Sequence, residues 1–173
     1  MIIALGSAYN HPFASSVYDQ KEQVNQSVDT YNKVKNAKKI LVVGGGAVGV
    51  EVAGEFATDC KDKTITLITS ADRLLPRMSE SFSKAAATVL QNKNVQVILN
   101  DRIDLTNVEN YKTNKLKTQS GKDIEFDAFF VCIGAKPCTD IVKKSFPEWI
   151  DKNGCIKVNE YLNVITGDYL NSI

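Results

Sequence analysis

An α/β fold, with helices and a hairpin layer covering a central parallel sheet, is predicted by three features of this 173-residue sequence. Short unbroken apolar runs, Ile40-Leu41-Val42-Val43 and Phe129-Phe130-Val131-Cys132-Ile133, have the character of strands buried on both faces. Five of the ten glycines fall between residues 44 and 54, directly after the first run. Apolar residues at helical spacing then follow the glycines, so strand, turn and helix come in immediate succession.

The elements follow in order. Val24, Val28, Tyr31 and Val34 lie near one helical face between Gln20 and Lys35, which predicts a surface helix. Lys38 and Lys39 lead into the strand 40–43. Gly44, Gly45, Gly46 and Gly49 form the turn, and Val48, Val52 and Phe56 at i, i+4 and i+8 are expected to pack the next helix on the sheet. Thr64-Ile65-Thr66-Leu67-Ile68-Thr69, alternating and β-branched, returns the chain as a second strand and completes a βαβ unit. Pro76 and Ser79 bracket another helix start, with Phe82, Ala86, Val89 and Leu90 expected on its buried face and Asn92-Lys93-Asn94 at its end. Val95 to Leu99 predicts a third strand. Lys115 to Thr118, a Ser120-Gly121 turn and Ile124 to Phe126 predict a hairpin. The run 129–134 closes the sheet, and the chain beyond Pro137 reads as peripheral. Short strand-like pieces at Ile2 to Leu5 and Cys155 to Val158 resemble fragments of a second domain.

Composition excludes several classes of function. Lys plus Arg number 21 against 20 acidic residues, a net charge of +1 that supplies no field for gathering nucleic acid. The longest apolar run, Ala128 to Ile133, is far short of the ~20 residues of a membrane-spanning helix, and Met1 to Gly6 lacks the basic start of a secretory signal. A cytoplasmic location is expected, with membrane association left to a longer form. The four cysteines at 60, 132, 138 and 155 contain no Cys-x-x-Cys, and the single His11 completes no zinc set with them, so no metal site is expected. Reduced, mostly buried thiols are the expectation.

Gly44-x-Gly46-x-x-Gly49 fits the dinucleotide fingerprint of a Rossmann-type three-layer fold with a central parallel sheet and a β-hairpin/meander insertion. In that pattern the glycines serve a tight turn, backbone approach to pyrophosphate, and close helix–strand contact. The helix opening at Ala47 and Val48 adds amide N–H groups and the positive end of its dipole. An NAD-selective site usually carries Asp or Glu at the second strand's tip; here the chain reads Thr69-Ser70-Ala71-Asp72-Arg73. Two readings stand: Ser70 and Arg73 accept a 2′-phosphate, or Arg73 is a solvated loop charge and Asp72 replaces the missing acid. NADH and NADPH both remain candidates. Glu51 either projects toward a bound nicotinamide or, like Glu55, serves the helix N-terminus.

Val43-Gly44-Gly45-Gly46-Ala47-Val48-Gly49-Val50-Glu51-Val52-Ala53-Gly54-Glu55, with Phe130 to Pro137, resembles the NAD(P)H domain of the two-dinucleotide flavoprotein oxidoreductases. Ile68-Thr69-Ser70, Leu74-Leu75-Pro76 and Val158-Asn159-Glu160-Tyr161-Leu162 make it most similar to their apoptosis-inducing-factor-like, ferroptosis-suppressor branch. The resemblance implies hydride transfer from NAD(P)H to FAD and reduction of a quinone-like acceptor. It places pyrophosphate on Gly44 to Gly49 and the nicotinamide end near Glu51, Ile133 and Gly134. Ile3-Ala4-Leu5-Gly6 resembles the family's Ala-Thr-Gly segment, with Leu5 in place of Thr. The family's FAD glycine motif stands ahead of this segment, and Gly167-Asp168 follows Asn159-Glu160 too closely to align with its flavin-binding pair. Residues 1–37 are therefore expected to lead in from a flavin domain, 38–136 to bind NAD(P)H, and 137–173 to begin a return. Apolar surface at Ile2 to Leu5 and beside Cys132 is expected to favour self-association.

No catalytic side chain is assigned, because nicotinamide and flavin carry the hydride chemistry. The alternative function is a non-catalytic dinucleotide-binding module without flavin; S-adenosylmethionine binding on the same turn is a further alternative. Tyr31-x-x-x-Lys35 and Tyr111-x-x-x-Lys115 imitate a short-chain dehydrogenase pair by spacing alone. His11 has no nucleophile to serve. Lys112, Lys115 and Lys117 protect a strand edge better than they recruit nucleic acid.

Overall fold

The structure, a computed structural model, describes residues 1–9, 19–105 and 114–165. His11, Tyr111, Lys112 and Gly167-Asp168 lie outside the described residues. Backbone contacts divide the chain into two units, 10–134 and the combination of 1–9 with 135–173.

Within the larger unit the described elements run α1 (Gln20–Asn36), β2 (Lys39–Val43), α2 (Ala47–Asp59), β3 (Thr64–Ile68), α3 (Glu80–Asn92), β4 (Gln96–Ile98), β5 (Lys115–Lys117), β6 (Asp123–Glu125) and β7 (Ala128–Val131), with β1 (Ser7–Ala8) preceding them in the smaller unit. Four strands form a parallel sheet in the order β4-β3-β2-β7. On one face α1, α2 and α3 bury Ala37, Ala53 and Leu90 against Ile40, Val42, Leu67 and Phe130. On the other, the β5–β6 hairpin brings Leu116, Ile124 and Phe126 onto Leu41, Val43 and Ile68. Covered from both sides, the sheet needs the unbroken apolar runs its sequence carries. The three-layer α/β architecture with a hairpin insertion is as expected.

Two helices bury a different face from the one expected. In α3, Phe82 and Val89 are 57% and 52% exposed, while Ser83 and Leu90 are buried and Ala86 and Ala87 pack against the core. Ser83 can be buried because its hydroxyl donates to the Leu74 carbonyl at 2.6 Å, which satisfies a group the hydrophobic pattern counts as polar. In α2, Gly49 and Ala53 face the sheet; Val52 and Phe56 pack at its flanks, but Val48 is exposed. Small residues let this helix lie close to the strands, which turns Val48 outward. The surface helix α1 is capped by Asp19, whose carboxylate accepts from the Glu22 N–H, and buries no residue fully; Val34 alone of its expected stripe packs on the core.

Side chains tie the layers at three places. Lys63, its side chain buried, donates to the Lys35 and Ala37 carbonyls at 3.0 and 2.8 Å, closing the end of α1 over the turn before β3. Asp127 accepts from the Lys38 and Lys39 backbone N–H groups at 2.7 and 2.8 Å, and these bonds hold its carboxyl below the usual carboxylate range. Asp101, buried beyond β4, accepts from the Ser120 hydroxyl at 2.6 Å and from the Ser120 and Arg102 N–H groups, so it joins the sheet edge to the hairpin turn. The Ser120 hydroxyl is the leading cause that takes its carboxyl down to about 2.

In the smaller unit, β1 pairs antiparallel with β8 (Lys136–Pro137), followed by α4 (Asp140–Ser145) and a 3₁₀ turn at Pro147–Trp149. The expected strand-like piece at Ile2 to Leu5 is not a strand, and Cys155 to Val158 forms only isolated bridges, Ile150 with Ile156 and Val158 with Val164. Ile2 and Leu5 are exposed. Among the described residues no helix is long and apolar enough to cross a membrane.

The low Asp101 value makes a signed prediction. Its ionised form is favoured by folding, so its stabilisation is complete above the unfolded carboxylate's pKa of ~3.9 and is lost as pH falls toward about 2. Thermal melts of Asp101→Asn and the parent chain should therefore differ at pH 5 to 7 and converge as pH is lowered through that window. A gap that stays constant to the lowest pH contradicts this role.

Candidate functional site

Register places the candidate site at one end of the sheet. Val43 pairs with Ile68 on one side and Val131 on the other, so the segments 44–49, 69–73 and 132–134 all leave the same carboxyl edge. The strands beside β2 are reached by chain running in opposite senses along the sheet, the arrangement that opens a crevice outside the strand ends.

Two of the loop glycines answer to the protein's own backbone. Gly44 has φ +120°, and a Cβ there would overlap the Cys132 carbonyl. A Cβ on Gly49 would overlap the Gly44 carbonyl. These residues are glycine because strand end, loop and helix touch through main-chain atoms. Gly45 answers to a side chain, since a Cβ would come within 2.8 Å of Thr69 Cγ2.

Gly46 is different. Its φ of −77° and ψ of −175° suit any residue, and a Cβ built on it meets nothing within 4 Å. It is also the N-cap of α2, a position where Ser, Thr, Asp or Asn commonly accept from the first turn, yet α2 has no side-chain cap. The first-turn amides of Ala47, Val48 and Gly49 thus have no side-chain cap and stand at the positive end of the helix. Anchoring comes from behind: Gly44 N–H donates to the Ile68 carbonyl at 2.8 Å, and the Gly45 carbonyl accepts from Leu75 N–H at 2.7 Å.

Residues 1–168 match the pyridine nucleotide-disulphide oxidoreductase family. The chain belongs to that family. It is similar to ferroptosis suppressor protein 1 of Homo sapiens, with 31% identity over 176 residues, covering 95% of this chain and 46% of that protein. Apoptosis-inducing factor homolog A of Dictyostelium discoideum is 31% identical over 185 residues, covering 95% and 45%. The chain therefore spans a little under half the length of these relatives. In fold it is similar to the water-forming NADH oxidase of Lactobacillus brevis bound to NADH, with a TM-score of 0.69 and 23% identity over 92% of this chain and 35% of that one. NAD(P)H and FAD are cofactors of this family.

The remaining expected site residues are distributed around the same edge. Glu51 lies one turn into α2 and is exposed; Ser70 and Arg73 are in the loop after β3; Ile133, 60% exposed, and Gly134, with φ +100°, follow β7. Arg73 Nη2 donates to the Pro76 and Met78 carbonyls at 3.0 and 3.2 Å, so this guanidinium also braces its own loop. Sequence reasoning missed two supports. Thr69 is buried against Gly45, and its hydroxyl accepts from Ala71 N–H at 3.3 Å rather than pointing outward. Leu75, buried, adopts φ +50°, a conformation costly for a branched side chain, and its N–H is the one that holds Gly45. The Leu74-Leu75-Pro76 motif carried no signal for this, because a following proline favours extended backbone with negative φ rather than the left-handed conformation Leu75 adopts.

Cys132 completes the floor of the loop; its N–H donates to the Val43 carbonyl at 2.7 Å. Burial pushes its thiol up to about 11. The thiols, expected to be mostly buried, are not: Cys132 is buried and Cys60 partly so, but Cys138 and Cys155 are exposed.

Two outcomes test this geometry. Gly49→Ala should lower stability by ~1–3 kcal/mol in urea titration, because its methyl meets backbone that cannot step aside; an unchanged midpoint refutes the close contact. In mass-spectrometric mapping at pH 8, iodoacetamide should label Cys138 and Cys155 well before Cys132. Equal labelling contradicts the burial of Cys132.

Proposed function

We propose that this chain is the NAD(P)H-binding part of a flavin-dependent oxidoreductase that passes hydride from NAD(P)H to FAD and on to a quinone-like acceptor. The observation that carries the coenzyme reading is Gly46. Nothing inside the protein demands glycine at that position, so the open space above it suits a ligand that must approach the main chain.

The roles divide along the carboxyl edge. The amides of Gly46, Ala47, Val48 and Gly49 receive the coenzyme pyrophosphate, and Gly44 and Gly45 hold the loop in shape. Ser70 and Arg73 lie toward the adenosine ribose, where the absence of a carboxylate at the tip of β3 tolerates a 2′-phosphate. The two bonds of Arg73 to its loop use one of its nitrogens, leaving the rest of the guanidinium for a phosphate. Glu51, Ile133 and Gly134 border the nicotinamide end. When bound, the reduced nicotinamide supplies the hydride; the chain's residues orient it and exclude water, and none is assigned a proton. Among the described residues only the 43–49 turn forms a strand–glycine–helix cradle, so these residues are assigned to the nicotinamide coenzyme and none to FAD. The similarity to ferroptosis suppressor protein 1 and to the apoptosis-inducing factor homolog supports the flavin and acceptor parts of the reading.

Calorimetry on Gly46→Ala tests the proposal. Its backbone angles accept alanine, so the melt should stay within about 1 kcal/mol of the parent, a cap-sized effect. Affinity for NADH and NADPH should nevertheless fall at least ~10-fold, which corresponds to about 1.4 kcal/mol of binding free energy. Equal affinity in a folded variant, or no heat with either coenzyme on the parent chain, overturns the reading. The exposed Ile2 and Leu5 further lead us to expect self-association of the isolated chain; sedimentation that shows only monomer at high concentration contradicts it.

A further inference from the structure

Two exposed thiols of the smaller unit flank a single short hydrogen bond. Thr139 Oγ1 donates to the Gly154 carbonyl at 2.6 Å. Cys138 immediately precedes the donor and Cys155 immediately follows the acceptor, each one residue, ~3.8 Å along the chain, from the bonded pair. Neither cysteine is paired, and both are exposed.

The backbone around these two exposed residues is held. Cys138 N–H donates to the Gly6 carbonyl at 3.1 Å, beside the β1–β8 pairing. Cys155 N–H donates to Asp151 Oδ1, and its carbonyl accepts from Asp151 N–H, both at 2.8 Å, which fixes the turn 151–155. Gly154 at the tip of that turn has φ +82°, a region where glycine moves at little cost. A disulfide asks for Cα atoms about 4.4–6.8 Å apart. The Thr139–Gly154 hydrogen bond ties the chain beside Cys138 to the chain beside Cys155, and the glycine turn is where the backbone can adjust toward that separation.

We infer that Cys138 and Cys155 form a reversible disulfide that closes the segment 139–154, carrying α4 and the Pro147–Trp149 turn, into a covalent loop. The oxidant class is a low-molecular-weight disulfide such as oxidised glutathione. One cysteine thiolate attacks a sulfur of the oxidant, the oxidant's S–S bond breaks, and the first thiol molecule leaves. The second cysteine thiolate then attacks the mixed disulfide, forming the protein S–S bond and releasing the second thiol molecule. The protein thiols lose two electrons and two protons, and one oxidised glutathione becomes two reduced ones. Cys132, buried with its thiol raised, takes no part.

The test uses the whole chain. After incubation with oxidised glutathione and quenching of remaining thiols, non-reducing peptide mapping should find the Cys138 and Cys155 peptides joined within one chain. The free-thiol count should drop from four to two, and dithiothreitol should restore it. Amide exchange across 139–154 should slow in the oxidised form. Cys138→Ser and Cys155→Ser should each leave the other cysteine singly glutathionylated. Mapping that shows both cysteines of the parent chain singly glutathionylated, or joined only between chains, overturns the inference. Because that mapping needs no variant, a poorly folding substitution does not shelter the claim.

Discussion

Main-chain contact among Gly44, Gly49 and Cys132 is the constraint on which the rest of the larger unit depends. A helix can begin one turn after a strand only if its first residues clear the strand's own exit, and here that clearance is zero. Gly49 rests against the Gly44 carbonyl, and Gly44 against the Cys132 carbonyl. Any side chain at 44 or 49 separates α2 from β2 or β2 from β7. With both glycines in place, α2 lies against the sheet through Gly49 and Ala53, and the three loop segments of the carboxyl edge converge. Position and approach are thus set by atoms that are missing rather than by attractive groups.

That close approach is braced from the β3 side. Thr69 fills the space left by Gly45, and Leu75 holds the Gly45 carbonyl by adopting a left-handed backbone conformation. A strained leucine is tolerated because it is buried and its N–H is satisfied, so packing and a hydrogen bond offset the conformational cost. The bracing leaves Gly46 without a neighbour. A loop held rigid on both sides but open in the middle is preorganised, and a ligand entering it does not have to order the chain.

Much of this was legible in the residues. The strands at 40–43 and 64–69, the glycine turn and the hairpin follow from local rules, because unbroken apolar runs and turn glycines act over a few residues; the run 129–134, expected as one fully buried strand, instead leaves the sheet after Val131 and exposes Ile133. Helix faces were less legible. Ser83 is buried by a hydrogen bond to Leu74, a partner nine residues away, and Phe82 and Val89 are exposed despite being the more apolar choice. Hydrophobic spacing cannot register a polar group that finds its partner only in the folded chain. The α4 segment was missed because a helix of one or two turns carries too little periodicity to detect. At the site, the glycine pattern was visible, but the reason for each glycine was not: only the fold distinguishes 44 and 49, which protein atoms require, from 46, which they do not.

That distinction also bears on how the proposed coenzyme is recognised. The cradle offers amide dipoles and the end of a helix rather than a cluster of cations, and the chain's near-neutral charge supplies no long-range attraction. Pyrophosphate recognition of this kind depends on short-range geometry, so it discriminates by shape and loses little to salt screening. Arg73 is the charge the proposed function assigns to the coenzyme, in the loop after β3, while Ile133 and Gly134 follow β7. Under the proposed function, discrimination between NADH and NADPH is separable from pyrophosphate binding: the first rests on a half-buried arginine in the loop after β3, the second on main-chain amides of the 46–49 turn. Such a chain can change its coenzyme preference without altering the contact that makes it fold.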